Sequence, residues 1–470
     1  MTLTHADYKA ISDNIRPNGQ AFIDGKFCDA DDGEKFETTN PATGQVLASV
    51  AHCKAADVDR AVVAARRVFN AGTWSRAEPE ERKEVLLKVS ALVREHTHEL
   101  AVLESLDTGK TINDCMDEIG GEVVNFFQWY AELADKSFGK IAPTGPSALA
   151  MIVKEPAGVA GAVLPWNFPL VMASWKIAPS LAVGCSAVIK PAEQTPLSTI
   201  RLAELMREAG VPDGVINIVP GYGETAGKSI GVHNDIDTVS FTGSTEVGRM
   251  FMRYSGDSNL KGVGLEMGGK SPFIVLEDAV LDDDLIEHSA MSAFWNGGQN
   301  CSANMRQLIA APLVDEFTGR ILERVKAFKL GDPLDPATDI GSMITKDHKE
   351  MVMSYIQSGT DEGAGMLMGG ESEVPGYFIK PTVFENVTPK MKIAQEEIFG
   401  PVLGIMPVKN AKEALKIASD TDYGLHATVF TQNIDQALHM ARSLPCGTVS
   451  VNGFSEGDIK TPFGGYKQSG

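Results

Sequence analysis

Val159-Ala160-Gly161-Ala162-Val163-Leu164, followed at once by Pro165-Trp166-Asn167-Phe168-Pro169, decides the fold class of this chain. The short apolar run stopped by proline reads as a strand, and similar runs follow at Ala187–Ile189, Val215–Val219, Thr238–Phe241 and Phe273–Leu276. Helical patterns such as Thr199–Ala209 alternate with them. That alternation is the signature of βα units on a parallel sheet, and it predicts an α/β fold. The two prolines also fix the backbone around Asn167, whose side-chain amide becomes an aimed donor of the kind that forms an oxyanion hole.

Towards the amino terminus, residues 55–70 and 78–106 predict two helices. In the second, Val85, Leu86, Val89, Leu92 and Val93 recur at helical spacing with charges on the other face. Residues 138–157 carry Pro143, Gly145 and Pro146 before the alternating Leu149-Ala150-Met151-Ile152-Val153. They predict an extended arm or hairpin with little core of its own, in need of cover from another domain or subunit. From about 265 a second α/β unit is expected: strand 273–276, helix 282–296, strand 306–311 and helix 313–328. Glycine-rich turns, strand 378–385, helix 410–419, strand 427–431 and helix 433–443 complete it.

A chain of 470 residues exceeds one hydrophobic core and should divide into two or three domains. With 42 Lys and Arg against 62 Asp and Glu the net charge is −20, and no basic cluster appears. That balance excludes a general affinity for nucleic acid or an anionic membrane. The longest apolar run, Ile177–Ile189, is broken by Pro179 and Gly184 and is too short to span a bilayer. The first residues lack the basic start and apolar stretch of a secretory signal, so a cytoplasmic location is expected. Six scattered cysteines (28, 53, 115, 185, 301, 446) show no CxxC spacing, and His96 and His98 are set too close to share a helix face. No metal site or disulfide framework is expected.

Several short constellations carry chemistry. Phe294-Trp295-Asn296-Gly297-Gly298-Gln299-Asn300-Cys301-Ser302 places a thiol after a two-glycine bend among amide side chains. It is either an inert core cysteine or an accessible nucleophile. Ile216–Val219 leads into Gly221, Gly223 and Gly227, which is either an ordinary β–α turn or a phosphate-approaching loop one residue off the G-x-G-x-x-G spacing. Thr242-Gly243-Ser244 opens a helix that Ser244 either caps or leaves for a pyrophosphate. Lys190 and Glu193 end a strand, where a sheet binds ligands, and are either ligand contacts or surface charges. Glu266, in Leu265-Glu266-Met267-Gly268-Gly269-Lys270-Ser271, is either a desolvated general base or a solvated turn charge.

Taken in order, PWNFP at 165–169, KPAEQTP at 190–196, FTGSTEVG at 241–248, LEMGGKSP at 265–272, GQNC at 298–301, EEIFGPV at 396–402 and PFGGYKQSG at 462–470 resemble the aldehyde dehydrogenase superfamily. The resemblance spans essentially the whole chain. It implies a Rossmann-type cofactor domain in two parts (1–137 and 158–264), a small β oligomerisation arm (138–157), an α/β catalytic domain (265–465) and the start of a C-terminal segment (466–470). Family members continue beyond this point, so the chain reads as truncated after Gly470.

The same resemblance implies Cys301 as nucleophile, Glu266 as general base, Asn167 as oxyanion donor and Lys176 on a proton exit path, with a stabilising surface lysine as the plain alternative for Lys176. It implies contacts to NAD from Trp166, Lys190, Glu193, Gly223, Gly243, Ser244, Glu397 and Phe399. The Glu193 carboxylate favours NAD over NADP, although some members accept both. Phe168, Met172, Trp175, Trp295 and Phe463 match the walls of a substrate mouth, with core packing as the plain alternative. Glu456 and Asp458 lie near that mouth, as solvated loop charges or as an attraction for a cationic aldehyde. The motifs are most similar to the branch acting on aminoaldehydes such as γ-glutamyl-γ-aminobutyraldehyde. The implied partners are a small-molecule aldehyde and further copies of the chain in a dimer or tetramer. The alternatives are a broad-specificity enzyme, a coenzyme-A-acylating one and a non-catalytic relative.

Overall fold

The computed structural model describes residues 3–470 and contains two seven-stranded sheets. The first runs Gly262–Glu266, Thr238–Thr242, Val159–Val163, Ser186–Lys190, Ile216–Ile218, Ala21–Ile23, Lys26–Cys28 in spatial order. Its first five strands are parallel, and the two amino-terminal strands close one edge antiparallel, with Phe22 opposite Ile218. Side chains alternate between faces, and both faces are covered. Ala187 and Ile189 enter one core with Leu170, Ile177 and Leu202, while Val188 enters another with Val58, Val62 and Phe251. Covering both faces is why these strands read as unbroken apolar runs.

The second sheet runs Gly365–Glu371, Ile379–Glu385, Val402–Val408, Arg306–Ala310, Pro272–Val275, His426–Phe430, Thr448–Val451. Only its first pair is antiparallel. Ile274 and Leu308 face one core and Phe273, Val275 and Ile309 the other. The chain crosses from sheet to sheet in the five residues between Glu266 and Pro272.

The helix expected over 78–106 is two helices, Pro79–Glu95 and Thr97–Thr108. The Thr97 hydroxyl bonds back to the carbonyls of Val93 and Arg94, and the His96 ring bonds Glu99, so the first helix ends there and a second begins. Residues 140–142 and 150–152 form an antiparallel hairpin. Its Phe138, Ile141, Leu149 and Met151 are exposed, at 67–78%. Among the described residues no helix is long and apolar enough to cross a membrane.

Candidate active site

In the first sheet, chain order proceeds outward from Val159–Val163 in both directions, so the order reverses between that strand and Thr238–Thr242. A crevice opens beyond the carboxyl ends of strands at such a reversal. Four sequence motifs arrive there because each follows or ends a parallel strand: Pro165–Pro169, Lys190–Glu193, Gly243–Ser244 and Glu266 itself. Lys190 Nζ and Glu193 Oε2 pair at 2.7 Å, with the lysine buried and the glutamate half-buried. Ser244 caps the helix Thr245–Gly256 by accepting the Val247 amide at 3.3 Å.

The nucleophile candidate comes from the second unit. The helix Asp283–Phe294 stops at Trp295, and Asn296, Gly297 and Gly298 all take left-handed conformations (φ 51°, 61° and 71°). Glycine adopts these readily; Asn296 is held there by buried bonds from its amide to the Asn167 and Gln299 carbonyls, at 3.2 and 3.3 Å. Asn167 Nδ2 in turn donates to the Gln299 carbonyl at 3.0 Å, which leaves its second amide hydrogen uncommitted. The Asn167 turn and the Cys301 loop are thereby tied together.

The crossing segment passes between two of these groups. A Cβ on Gly269 would lie 2.5 Å from the Cys301 carbonyl, and one on Gly268 would lie 1.9 Å from Glu397 Oε2. Only glycines allow so close an approach. Glu397 Oε1 accepts the Gly269 amide at 3.0 Å. From the other end of the chain, the Ser469 carbonyl accepts the Met267 amide at 2.8 Å and its hydroxyl donates to the Gly268 carbonyl at 2.7 Å.

One cavity of about 480 Å³ joins these pieces. Cys301, Glu266 and Asn167 line it together with Lys190, Glu193, Gly223, Gly243 and Ser244. Glu397, Phe399 and Trp166 form a further wall, the two rings packed edge-on at 5.1 Å. Phe168 and Trp295 pack at 5.1 Å, Trp175 and Phe463 at 5.2 Å, and Met172 and Glu456 complete the lining. Lys176 stands outside it. It is no surface lysine: its Nζ donates to Thr242 Oγ1 at 2.7 Å and Ser240 Oγ at 3.1 Å, and burial pulls its pKa down to about 8.

Glu456 is not a solvated loop charge. Its carboxylate turns inward to accept Asn300 Nδ2 at 2.7 Å and the Ser302 hydroxyl, clasping both neighbours of Cys301. Asp458 is exposed and bonds Lys460, 3.3 Å away. Burial lifts the Glu266 carboxyl to about 8, with Lys176 opposing and Glu456 adding to the rise, and Glu266 Oε1 has no partner. Burial lifts Glu397 to about 7. Burial, then the charges of Glu456, Glu266 and Glu397, push the Cys301 thiol well up, so the thiol holds its proton at rest.

The sequence reading overlooked Glu122, at the mouth. A second cavity of about 500 Å³ adjoins the first there, lined by Glu122, Glu456 and Asp458 among Phe126, Tyr130, Trp175 and Phe463. Glu122 is exposed at this mouth, and the surrounding protein and then Glu456 raise its pKa to about 7. Ser469, Gly268 and Gly269 were also not assigned roles. Only a periodicity search over 112–134 had any prospect of locating Glu122, and a local π-turn disrupts that signal.

A model of the aldehyde dehydrogenase family matches residues 27–470. Aminoacetaldehyde dehydrogenase of Pseudomonas aeruginosa is 47% identical over 469 residues, which cover 100% of this chain and 94% of that protein. The structure of a mutant of indole-3-acetaldehyde dehydrogenase AldA from P. syringae, in complex with NAD+ and IAA, superposes with a TM-score of 0.98 at 44% identity, covering 100% of this chain and 95% of that one. γ-Glutamyl-γ-aminobutyraldehyde dehydrogenase from Burkholderia cenocepacia gives a TM-score of 0.97 at 45% identity, covering 99% and 95%.

Proposed function

Because the chain belongs to the aldehyde dehydrogenase family, we propose that it oxidises ω-aminoaldehydes to carboxylic acids with NAD, through a covalent intermediate on Cys301. The observation that carries this reading is the single cavity lined both by Cys301, Glu266 and Asn167 and by Lys190, Glu193 and Ser244.

The strand-end crevice fits a dinucleotide by its donor set: a cation, a carboxylate, a hydroxyl and a helix whose first amides have no carbonyl within the helix to bond. Lys190 and Glu193 would hold the adenosine ribose, Ser244 and the helix start the pyrophosphate, and Glu397 the nicotinamide ribose. Gly223 and Gly243 would let the backbone approach, with Trp166 and Phe399 alongside. The Glu193 carboxylate would repel a 2′-phosphate, which favours NAD over NADP. NAD, when bound, supplies the hydride acceptor.

Ionised Glu266 takes the Cys301 proton by way of water and releases it outward, and the sulfur attacks the aldehyde carbon, forming a thiohemiacetal alkoxide. The oxyanion takes the free Asn167 amide hydrogen and the Cys301 backbone N–H. Loss of hydride from the same carbon leaves a thioester on Cys301. Glu266 removes a proton from water as it adds to the thioester; the acid departs and the thiol is restored. Lys176, whose charge interacts with that of Glu266 and whose pKa burial lowers to about 8, passes the surplus proton outward. Net, aldehyde, NAD+ and water become acid, NADH and a proton.

The mouth supports a cationic tail: carboxylates attract the ammonium while aromatic faces bind it and the methylenes. The same aromatics favour a second reading, an arylacetaldehyde such as the one named for the P. syringae relative. The apolar arm supports assembly into a homo-oligomer. The test measures NADH and acid formed from 4-aminobutyraldehyde, aminoacetaldehyde, acetaldehyde and indole-3-acetaldehyde, with and without coenzyme A and with NAD or NADP. Preference for the amino compounds without coenzyme A is expected. A preference for the indole compound selects the second reading, and no NADH from any aldehyde overturns both.

A further inference from the structure

Behind the aromatic wall lies a buried ionic cluster that the chemistry above does not use. The Lys110 side chain is fully buried, its Nζ 2.5 Å from Glu118 Oε2 and 3.9 Å from the centre of the Phe168 ring. Glu104, also buried, accepts the Leu170 amide at the start of the helix Pro169–Ala182 and the Ser198 hydroxyl at the start of the helix Leu197–Glu208, each at 3.1 Å. Burial opposes the charge on Lys110. Glu118 and other anionic neighbours, Glu104 among them, outweigh that, so it stays an ammonium. Glu118 opens the π-turn Glu118–Val123, which carries Glu122 at the mouth, and such turns often mark functional sites. Removing these charges from water is expensive, and apolar side chains of equal volume are often no less stable, so stability alone does not account for a cation here.

We propose that Lys110 is a positioning residue for substrate selectivity, its ammonium drawing the Phe168 ring into place against Trp295 and so setting the width of the cavity between Asn167 and the mouth. A cation over a ring face is held by the ring's quadrupole, and the attraction is strongest where water is excluded. Glu118 and Glu104 keep that cation in place, and Glu104 anchors the helix that begins just after Phe168. The inference rests on the reading that the aldehyde tail lies along Phe168 and Trp295. Without the cation the ring is free to turn, and tails that lie on it lose their fixed surface.

The test compares Lys110→Met, Lys110→Arg and the double variant Lys110→Met/Glu118→Leu with the unaltered chain, using acetaldehyde, octanal and 4-aminobutyraldehyde with NAD. The double variant leaves no unpaired buried carboxylate at 118 and carries the test where the single one fails to fold. In the Met variants KM for octanal and 4-aminobutyraldehyde should rise about tenfold or more, while kcat with acetaldehyde and KM for NAD stay within about twofold. Lys110→Arg should restore most of the loss, since it keeps the cation over the ring. An equal fall in kcat for all three aldehydes, with their KM ratios unchanged, would reduce Lys110 to a structural role and overturn the proposal. Failure of the unaltered chain to oxidise any of them would instead refute the reading of the cavity itself.

Discussion

Cys301 and Glu266 sit in surroundings that oppose their charged forms, and this sets their pH behaviour. Glu266 serves as a base only when ionised, and burial holds its carboxyl near 8. The base form therefore grows as pH rises towards and past that value, and Cys301, also pushed upward, titrates in the same direction. Steady-state turnover should climb with pH through about 8 and fall towards neutrality; a profile flat across that range would remove Glu266 from the rate-limiting step. Cys301→Ala should abolish NADH formation, burst included. Glu266→Gln should keep a burst of NADH and slow the following turnover by about 10²–10⁴-fold, the usual worth of a positioned base; an unchanged steady state would refute the role. At the mouth, Glu122→Gln should raise KM for an aminoaldehyde by about tenfold, in line with loss of one charged contact, and leave KM for a neutral aldehyde of equal length unaltered. Equal effects on both would make Glu122 a packing residue.

The elements that sequence made legible are those whose environment is written locally. Val159–Val163 and Ser186–Lys190 are buried on both faces, so their apolar runs announced them. Trp295–Gly298 announced a bend because glycine suits left-handed backbone. Other features depend on distant partners. The break at His96 rests on side-chain bonds that helical periodicity does not report, and the hairpin of Ala21–Ile23 with Lys26–Cys28 joins the first sheet only by pairing with residues near 217. The bonds from Glu456 to Asn300 and Ser302 are not legible in the sequence, because those partners lie about 155 residues away in the chain. The GG of LEMGGKS was visible, but its cause was not: the Cys301 carbonyl and the Glu397 carboxylate occupy the space of two Cβ atoms. Gly269→Ala should therefore displace the Cys301 loop and lower kcat by about 10²-fold or more, since a shift near 1 Å costs that much. Retained kcat would mean the loop yields without disturbing the thiol.

At the scale of the whole molecule the hairpin at 140–152 stands out, since an isolated two-stranded ribbon is marginal and this one exposes its apolar side chains. Burial against another copy would resolve both. Sedimentation should show a homo-oligomer that Ile141→Lys/Met151→Lys converts to smaller species; an unchanged profile would leave the arm out of the assembly. With a charge of −20 on each chain, copies repel, so assembly should strengthen as salt is added.

The antiparallel closure of the first sheet also orders events in time. Phe22 pairs with Ile218, so the edge strands Ala21–Ile23 and Lys26–Cys28 emerge from the ribosome about 200 residues before the strand they pair with. At ~5–20 residues per second that is a wait of roughly 10–40 s. Throughout it the nascent amino terminus is a strand edge without its partner, and the residues made first can join the sheet only once Ile216–Ile218 exists, while Thr238–Thr242 and Gly262–Glu266 are still to be made.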